Sequence, residues 1–338
     1  MKNLFGVLPN GRQAHIYTIT CGNLEAHITD LGATLVRLFV PDRAGEKADV
    51  VLGFDRAEDY LNSTAYFGAT VGRNANRVKN GEFFLNDNAV SLPQNDGKNN
   101  LHSGPDSYAF RLWECKRQEE NLVQFSLYSP DGDQGFPGNA EVSVTYAFTA
   151  PDTLQITYDA VSDKDTVFNL TNHTYFNMAG HDKPELAMEQ ILCMPARFFT
   201  VADAESIPTG EKRNVADTPM DFRIPKAVGR DIGEDYEPLK LQGGYDHNFE
   251  VFCNPCAILT DPVSGRSVAV STDCPGMQMY SGNFLAGEIG KDGVSYTYRG
   301  GVALETQFYP DSVNKPDWPQ PIVRAGERYH SITAFTFK

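Results

Sequence analysis

Phe168-Asn169-Leu170-Thr171-Asn172-His173-Thr174-Tyr175-Phe176-Asn177-Met178 reads as one extended strand with two unlike faces. Side chains on a strand alternate with a period of two. Phe168, Leu170 and Phe176 therefore share one face, and Asn169, Thr171, His173, Tyr175 and Asn177 the other. A half-buried strand commonly meets solvent with Lys, Glu and Thr, whereas this face offers groups that both donate and accept hydrogen bonds. Two readings fit: the floor of a site for a ligand rich in hydroxyls, or a core strand whose amides satisfy neighbouring loops.

The same alternation spreads in both directions. Ala14–Thr20 and Leu24–Thr29 flank a Cys21-Gly22-Asn23 turn and predict an opening hairpin, and the strand at Ala33–Val40 ends at the Pro41–Gly45 turn. Glu82–Leu85 pairs with Ala89–Leu92. Val142, Val144, Tyr146 and Phe148 line one face of a strand, and Leu154, Ile156, Tyr158 and Ala160 line its partner. Further strands are expected near 249–252, 256–260, 267–272, 277–280, 301–308 and 331–337. The pattern weakens between 179 and 243, which predicts long loops and short strands. The one helical piece expected is short, around Asp55–Asn62. Many short strands with little helix predict an all-β, antiparallel sandwich, and no composition shift marks a linker, so residues 1–338 are expected to form a single domain.

With 41% hydrophobic residues in 338, the chain can bury a large core. A net charge of −15 argues against nucleic acid and anionic membranes as partners and favours a neutral, polar ligand. No signal-peptide core or membrane-spanning run is visible, and six scattered cysteines do not form a disulfide pattern. A soluble cytoplasmic protein is expected.

Two more segments place polar groups opposite an apolar face. In Gly301–Phe308, Val302, Leu304, Thr306 and Phe308 share one face, and Ala303, Glu305 and Gln307 the other. Solvent exposure is the default for such a Glu; retention for chemistry is the alternative. Asp246, after Gly243-Gly244-Tyr245, reads as a turn acid or a ligand group. Val71–Val78 carries Arg73, Asn74, Asn76 and Arg77, a loop dense in donors without the glycine spacing or lysine of a phosphate loop. His102 precedes a Ser103-Gly104 turn. No His, Asp or Glu pair has helix or close-strand metal spacing, and Cys253-Asn254-Pro255-Cys256 is a lone pair without a second. Asp131–Gly135 begins like a calcium loop but has Val142 at the twelfth position, so it reads as a turn.

Taken together, Gly72–Arg77, Asn100–His102, Asp131–Gly138, Thr171–Asn177, Tyr245–Phe249, Pro275–Phe284 and Glu305–Gln307 resemble the aldose 1-epimerase (galactose mutarotase) family. They occur in the family's order over nearly the whole chain, and Asp311–Pro321 matches the family's tail. The resemblance implies a large antiparallel β-supersandwich with an open sugar cleft and no metal or organic cofactor. The partner implied is a small-molecule monosaccharide, met by a monomer or weak dimer. The activity implied is interconversion of the α and β anomers of free aldoses such as galactose and glucose, within hexose and galactose metabolism. By that similarity Glu305 is the general base and His173 the general acid, a pairing suited to proton transfer near neutral pH. Asn76, Arg77, His102, Tyr175, Asp246 and Gln278 would bind the sugar, with His102 beside the anomeric centre. Many relatives have Gly where this chain has Ser103, a change expected to narrow the space near His102.

Two other functions compete with this one. A glycoside hydrolase would use Asp246 and Glu305 as its carboxylate pair, about 5–5.5 Å apart for retention or 6.5–9.5 Å for inversion. A sugar-binding protein would need Asp246, Asn76 and Arg77 but neither Glu305 nor His173. A phosphorylated sugar is disfavoured, since the motifs supply one secure Arg and no Lys cluster.

Overall fold

From Ala140 to Ser162 the apolar alternation becomes a long hairpin, Ala140–Ala150 against Thr153–Ser162. Its inward residues, among them Val144, Tyr146, Ile156 and Tyr158, are at most 2% exposed. The computed structural model describes residues 1–338. In it this hairpin is the centre of a nine-stranded sheet that also takes in Leu122–Ser129, Ser267–Thr272 and the closing strand Arg328–Phe337.

A six-stranded sheet packs across it, in the order Tyr175–Phe176, Val302–Gln307, Gly276–Tyr280, Asp246–Glu250, Phe199's strand Phe198–Ala202, and Pro208–Asn214. Every strand-to-strand pairing in both sheets is antiparallel. Phe176, Phe249, Met277, Met279, Val302 and Leu304 project from the smaller sheet into the shared apolar core. Burying each such side chain stabilises the fold by about 1.5–3 kcal/mol. The period of two then forces Asp246, Gln278 and Glu305 to the opposite face.

A third sheet, of five strands, is built from the N-terminal 49 residues, Lys2–Val7 through Lys47–Asp49. The expected opening hairpin is there as Gln13–Cys21 against Leu24–Thr29. A smaller apolar cluster containing Leu52, Phe54, Phe67, Tyr175, Tyr280 and Tyr296 lies along one side of the cleft floor. The expected helix is found at Ala57–Asn62, and a second six-residue helix spans Glu237–Gln242. No helix is long and apolar enough to cross a membrane.

The segment 168–178 departs from the expected single strand. It makes two small pairings, Thr171–Asn172 with Thr70–Val71 and Tyr175–Phe176 with the Val302–Gln307 strand, just after Thr166–Val167 has paired with Ile322–Val323. Both of its faces are buried. Asn169 accepts from Phe308 N–H and Asn177 donates to Lys183 C=O, so these amides serve the loops. His173 and Tyr175 alone among its polar residues reach the cleft. The loop-satisfying reading holds at Asn169 and Asn177, and His173 and Tyr175 line the cleft.

Candidate active site

Strand register builds the floor. Asp246 lies across from Tyr280, Tyr280 from Ala303, and Ala303 from Tyr175. Two residues along, Asn248 faces Gln278 and Gln278 faces Glu305. Above this sheet face opens a cleft of about 770 Å³ lined by Asn76, Arg77, His102, His173, Tyr175, Asp246 and Glu305. Glu305 is 2% exposed, so the default placement of a Glu at the surface does not apply. Asp246 lies in the strand on the cleft floor and is no turn acid. Gln278 is beneath the cleft lining and reaches it through Asp246, to whose Oδ1 it donates at 2.6 Å.

His173 Nε2 lies 3.6 Å from Glu305 Oε2. The imidazole is stacked on Tyr175 at 5.0 Å and on Tyr66 at 6.0 Å, which fixes its plane. His173 N–H donates to Ala69 C=O and its own C=O accepts from Gly68 N–H, so the backbone is pinned as well. His102 is oriented differently. Asn76 N–H donates to its Nδ1 at 3.1 Å, which leaves the neutral ring its proton on Nε2, as a donor. Asn76, His102 and Ser103 all have left-handed backbone, at φ 63°, 51° and 72°. Such conformations are uncommon for non-glycine residues and gather at functional sites.

Ser103 corrects the expectation drawn from its size. Its Oγ accepts from Asn74 N–H at 2.8 Å and donates to Asn74 C=O at 3.1 Å. The hydroxyl is turned into the neighbouring loop and takes no space from the cleft. The two candidate arginines separate cleanly. Arg73 is 1% exposed, and its guanidinium donates to Pro137 C=O, Gly138 C=O, Thr166 Oγ1 and the backbone and side-chain oxygens of Ser129. It pins the Asp131–Gly138 loop, whose Asp131 accepts from Gly138 N–H as a turn acid would. Arg77 instead lines the cleft and pairs with Asp96 at 2.7 Å.

Burial sets the protonation of the site. Desolvation, reinforced by the nearby Asp246 charge, pushes the Glu305 carboxyl well above the ordinary carboxylate range, against the pull of Arg77. Desolvation raises Asp246 too. It pulls His173 down to about 4 and His102 well below its ordinary value. Glu305 and His173 therefore hold one proton between them over a broad pH range. Ligand atoms of His102, His173 and Glu305 lie within 4.8 Å of one another, a convergence of donor types that linear spacing did not reveal. Tyr66, Asp96, Phe110, Tyr280 and Phe284 also line the cleft. Most come from loops, where no periodicity marks them.

The relatives of the chain identify its family. Residues 15–336 match the aldose 1-epimerase family. The chain is 40% identical to an aldose 1-epimerase of Haemophilus influenzae over 98% of its length and 97% of the relative's. The chain belongs to the aldose 1-epimerase family. It is 39% identical to a galactose mutarotase of Bos taurus, covering 99% of this chain and 98% of that one. Its fold superposes on an aldose epimerase homologue from C. elegans with a TM-score of 0.88 at 32% identity, over 96% of this chain and 99% of the other. A galactose 1-epimerase from Lactobacillus acidophilus gives 0.87 at 25% identity, over 100% and 98%. As a member of this epimerase family the chain is an isomerase acting on sugars, and its fold is the galactose mutarotase-like β-sandwich.

Proposed function

We propose that the protein interconverts the α and β anomers of free aldoses such as D-galactose and D-glucose, with Glu305 and His173 as its acid–base pair. The observation that carries this is the 3.6 Å approach of two buried groups, one acid and one imidazole, on the floor of a cleft lined by both polar and aromatic side chains. Glu305 takes the proton of the O1 hydroxyl. The O1–H electron pair becomes the C1=O1 π bond, the C1–O5 pair moves to O5, and His173 gives O5 its proton. Rotation about C1–C2 turns the other carbonyl face to O5. Closure runs with the roles exchanged: Glu305 returns a proton to O1 and His173 takes one from O5. Opening needs the pair's proton on His173 and closing needs it on Glu305, so the proton that burial keeps on Glu305 in the free pair passes to His173 before the ring opens.

His102, donating through Nε2–H, polarises the developing carbonyl. Asn76, Arg77, Tyr175 and Asp246 hold the ring hydroxyls, with Gln278 supporting Asp246. No metal ion or organic cofactor enters this scheme. We also propose that the chain is one domain, since a single apolar cluster runs from Tyr17 to Phe337. Monomer or weak dimer is the expected state. All six cysteines are free, which suits a reducing cytoplasm and a place in hexose or galactose metabolism. The test is polarimetry of fresh α-D-galactose and α-D-glucose beside a nitrophenyl galactoside assay. Accelerated mutarotation without hydrolysis supports the proposal; hydrolysis without mutarotation replaces it with a glycosidase.

A further inference from the structure

On the sheet face that carries Glu305 and Asp246, two residues along each strand, lies a second set of polar groups outside the cleft lining. Gln307 follows Glu305 by two positions on one strand face, and Asn248 follows Asp246 in the same way. Gly276 faces Gln307 across the sheet, while Gln278 stands between Glu305 and Asn248. Gln307 is 0% exposed and Asn248 1%. Neither carboxamide has a protein partner at its nitrogen or its oxygen, and Gln278 Oε1 and Glu305 Oε2 are likewise unpartnered. Gly276 lets the Asn248 amide and the Tyr309 ring close over the backbone, since a Cβ there would come within 2.4 Å of Asn248 Oδ1 and 2.7 Å of the Tyr309 ring.

Buried polar atoms are nearly always hydrogen-bonded, and burying a bare amide is costly. Unpartnered donors and acceptors on one face call for a small occupant that both donates and accepts. Water meets that description, and a site with several polar partners can fix it. Gln307 and Glu305, two apart on one strand face, are separated by about 6.5–7 Å, within the reach of one bridging molecule, while Asn248 lies two strands from Glu305, about 9.5 Å, and joins it along the same polar row through Gln278. We propose that Gln307 and Asn248 are positioning residues that hold water beside Glu305, on the side away from the cleft lining, and, through it, stabilise the carboxylate that takes the O1 proton. The functional part of this inference rests on the acid–base reading above.

The other titratable or charged groups facing Glu305 are His173, His102, Asp246, Arg77, Tyr175 and Tyr280. Gln307→Met and Asn248→Leu leave all of them in place and remove only the amides. The test follows the infrared carbonyl band of protonated Glu305, assigned by its loss in Glu305→Gln. In Gln307→Met its titration midpoint is expected to rise by about one pH unit, with kcat for α-D-galactose falling roughly tenfold at unchanged KM. Asn248→Leu is expected to act in the same direction. An unmoved midpoint in both variants, or a loss confined to KM, overturns the proposal. A high-resolution crystal structure of the wild type decides it even where the variants do not fold. Ordered water joining the Gln307 amide to Glu305 supports it; Gln307 and Asn248 bonded to each other with no water between them refutes it. Neither the infrared midpoint nor the crystal structure needs turnover, so a wild type without mutarotation would remove the functional reading and leave the water site to be judged separately.

Discussion

His173 Nε2 approaches Glu305 Oε2 to 3.6 Å because two strands of one sheet meet there, Tyr175 pairing with Ala303 two residues along from each group. The sheet's inner face buries Leu304 and Phe176, and the outer face is left to the acid and the imidazole. One alternation thus supplies both the core and the chemistry.

His173→Asn keeps a polar group of similar reach and removes the proton donor. The expected result is a kcat lower by about 100- to 10,000-fold with KM little changed. A variant altered only in KM would show that His173 binds the sugar and that the acid is another group, with His102 nearest.

The pH dependence of kcat/KM reports the free pair. Burial pulls His173 down to about 4 and pushes Glu305 up, so one proton stays on the pair between those limits. The acid limb is therefore expected near pH 4, where a second proton arrives, and the alkaline limb well above the ordinary carboxylate range. An acid limb near 6.5 would show a solvated histidine and contradict the burial argument.

Arg73 and Arg77 are expected to fail in different assays. Arg73→Met strands the carbonyls of Pro137, Gly138 and Ser129 and should cost about 3 kcal/mol of stability, read by denaturant unfolding. Arg77→Met should raise KM severalfold with little change in unfolding midpoint, since Arg77 is on the cleft wall.

His247 points the other way from Asp246, edge-on to Phe199, and burial lowers it to about 3. The unfolded chain takes up this proton near pH 6.5, the folded chain only near 3. Stability from this group is complete above 6.5 and is lost as pH falls toward 3. Between pH 7 and 4.5 that loss is about 2–3 kcal/mol. His247→Leu should flatten unfolding free energy over that range by this amount; an unchanged slope would place the proton elsewhere.

The hairpins at 14–29 and 140–162 were legible because each strand has one face on the core, which the period of two reports directly. The same rule placed Glu305 opposite Leu304. It did not reveal that the second face was also enclosed, since enclosure comes from loops distant in sequence, such as those bearing Tyr66 and His102. Segment 168–178 kept its alternation while passing from the Thr70–Val71 strand to the Val302–Gln307 strand, and alternation carries no record of partners. Lys2–Val7 escaped notice because this edge strand buries little. Arg73 and Arg77 look alike in sequence; only the Asp131–Gly138 loop folding over Arg73 separates a structural cation from one that meets a ligand.

The central claim is that Glu305 is the base. Polarimetry of freshly dissolved α-D-galactose with the wild type and Glu305→Gln, beside calorimetric binding of the same sugar, tests it directly. The amide keeps the side chain's size and hydrogen-bonding shape but not its proton affinity. The account predicts faster approach to the same equilibrium rotation with the wild type, most of that acceleration lost in Glu305→Gln, and sugar binding retained. Near wild-type acceleration by Glu305→Gln would contradict it.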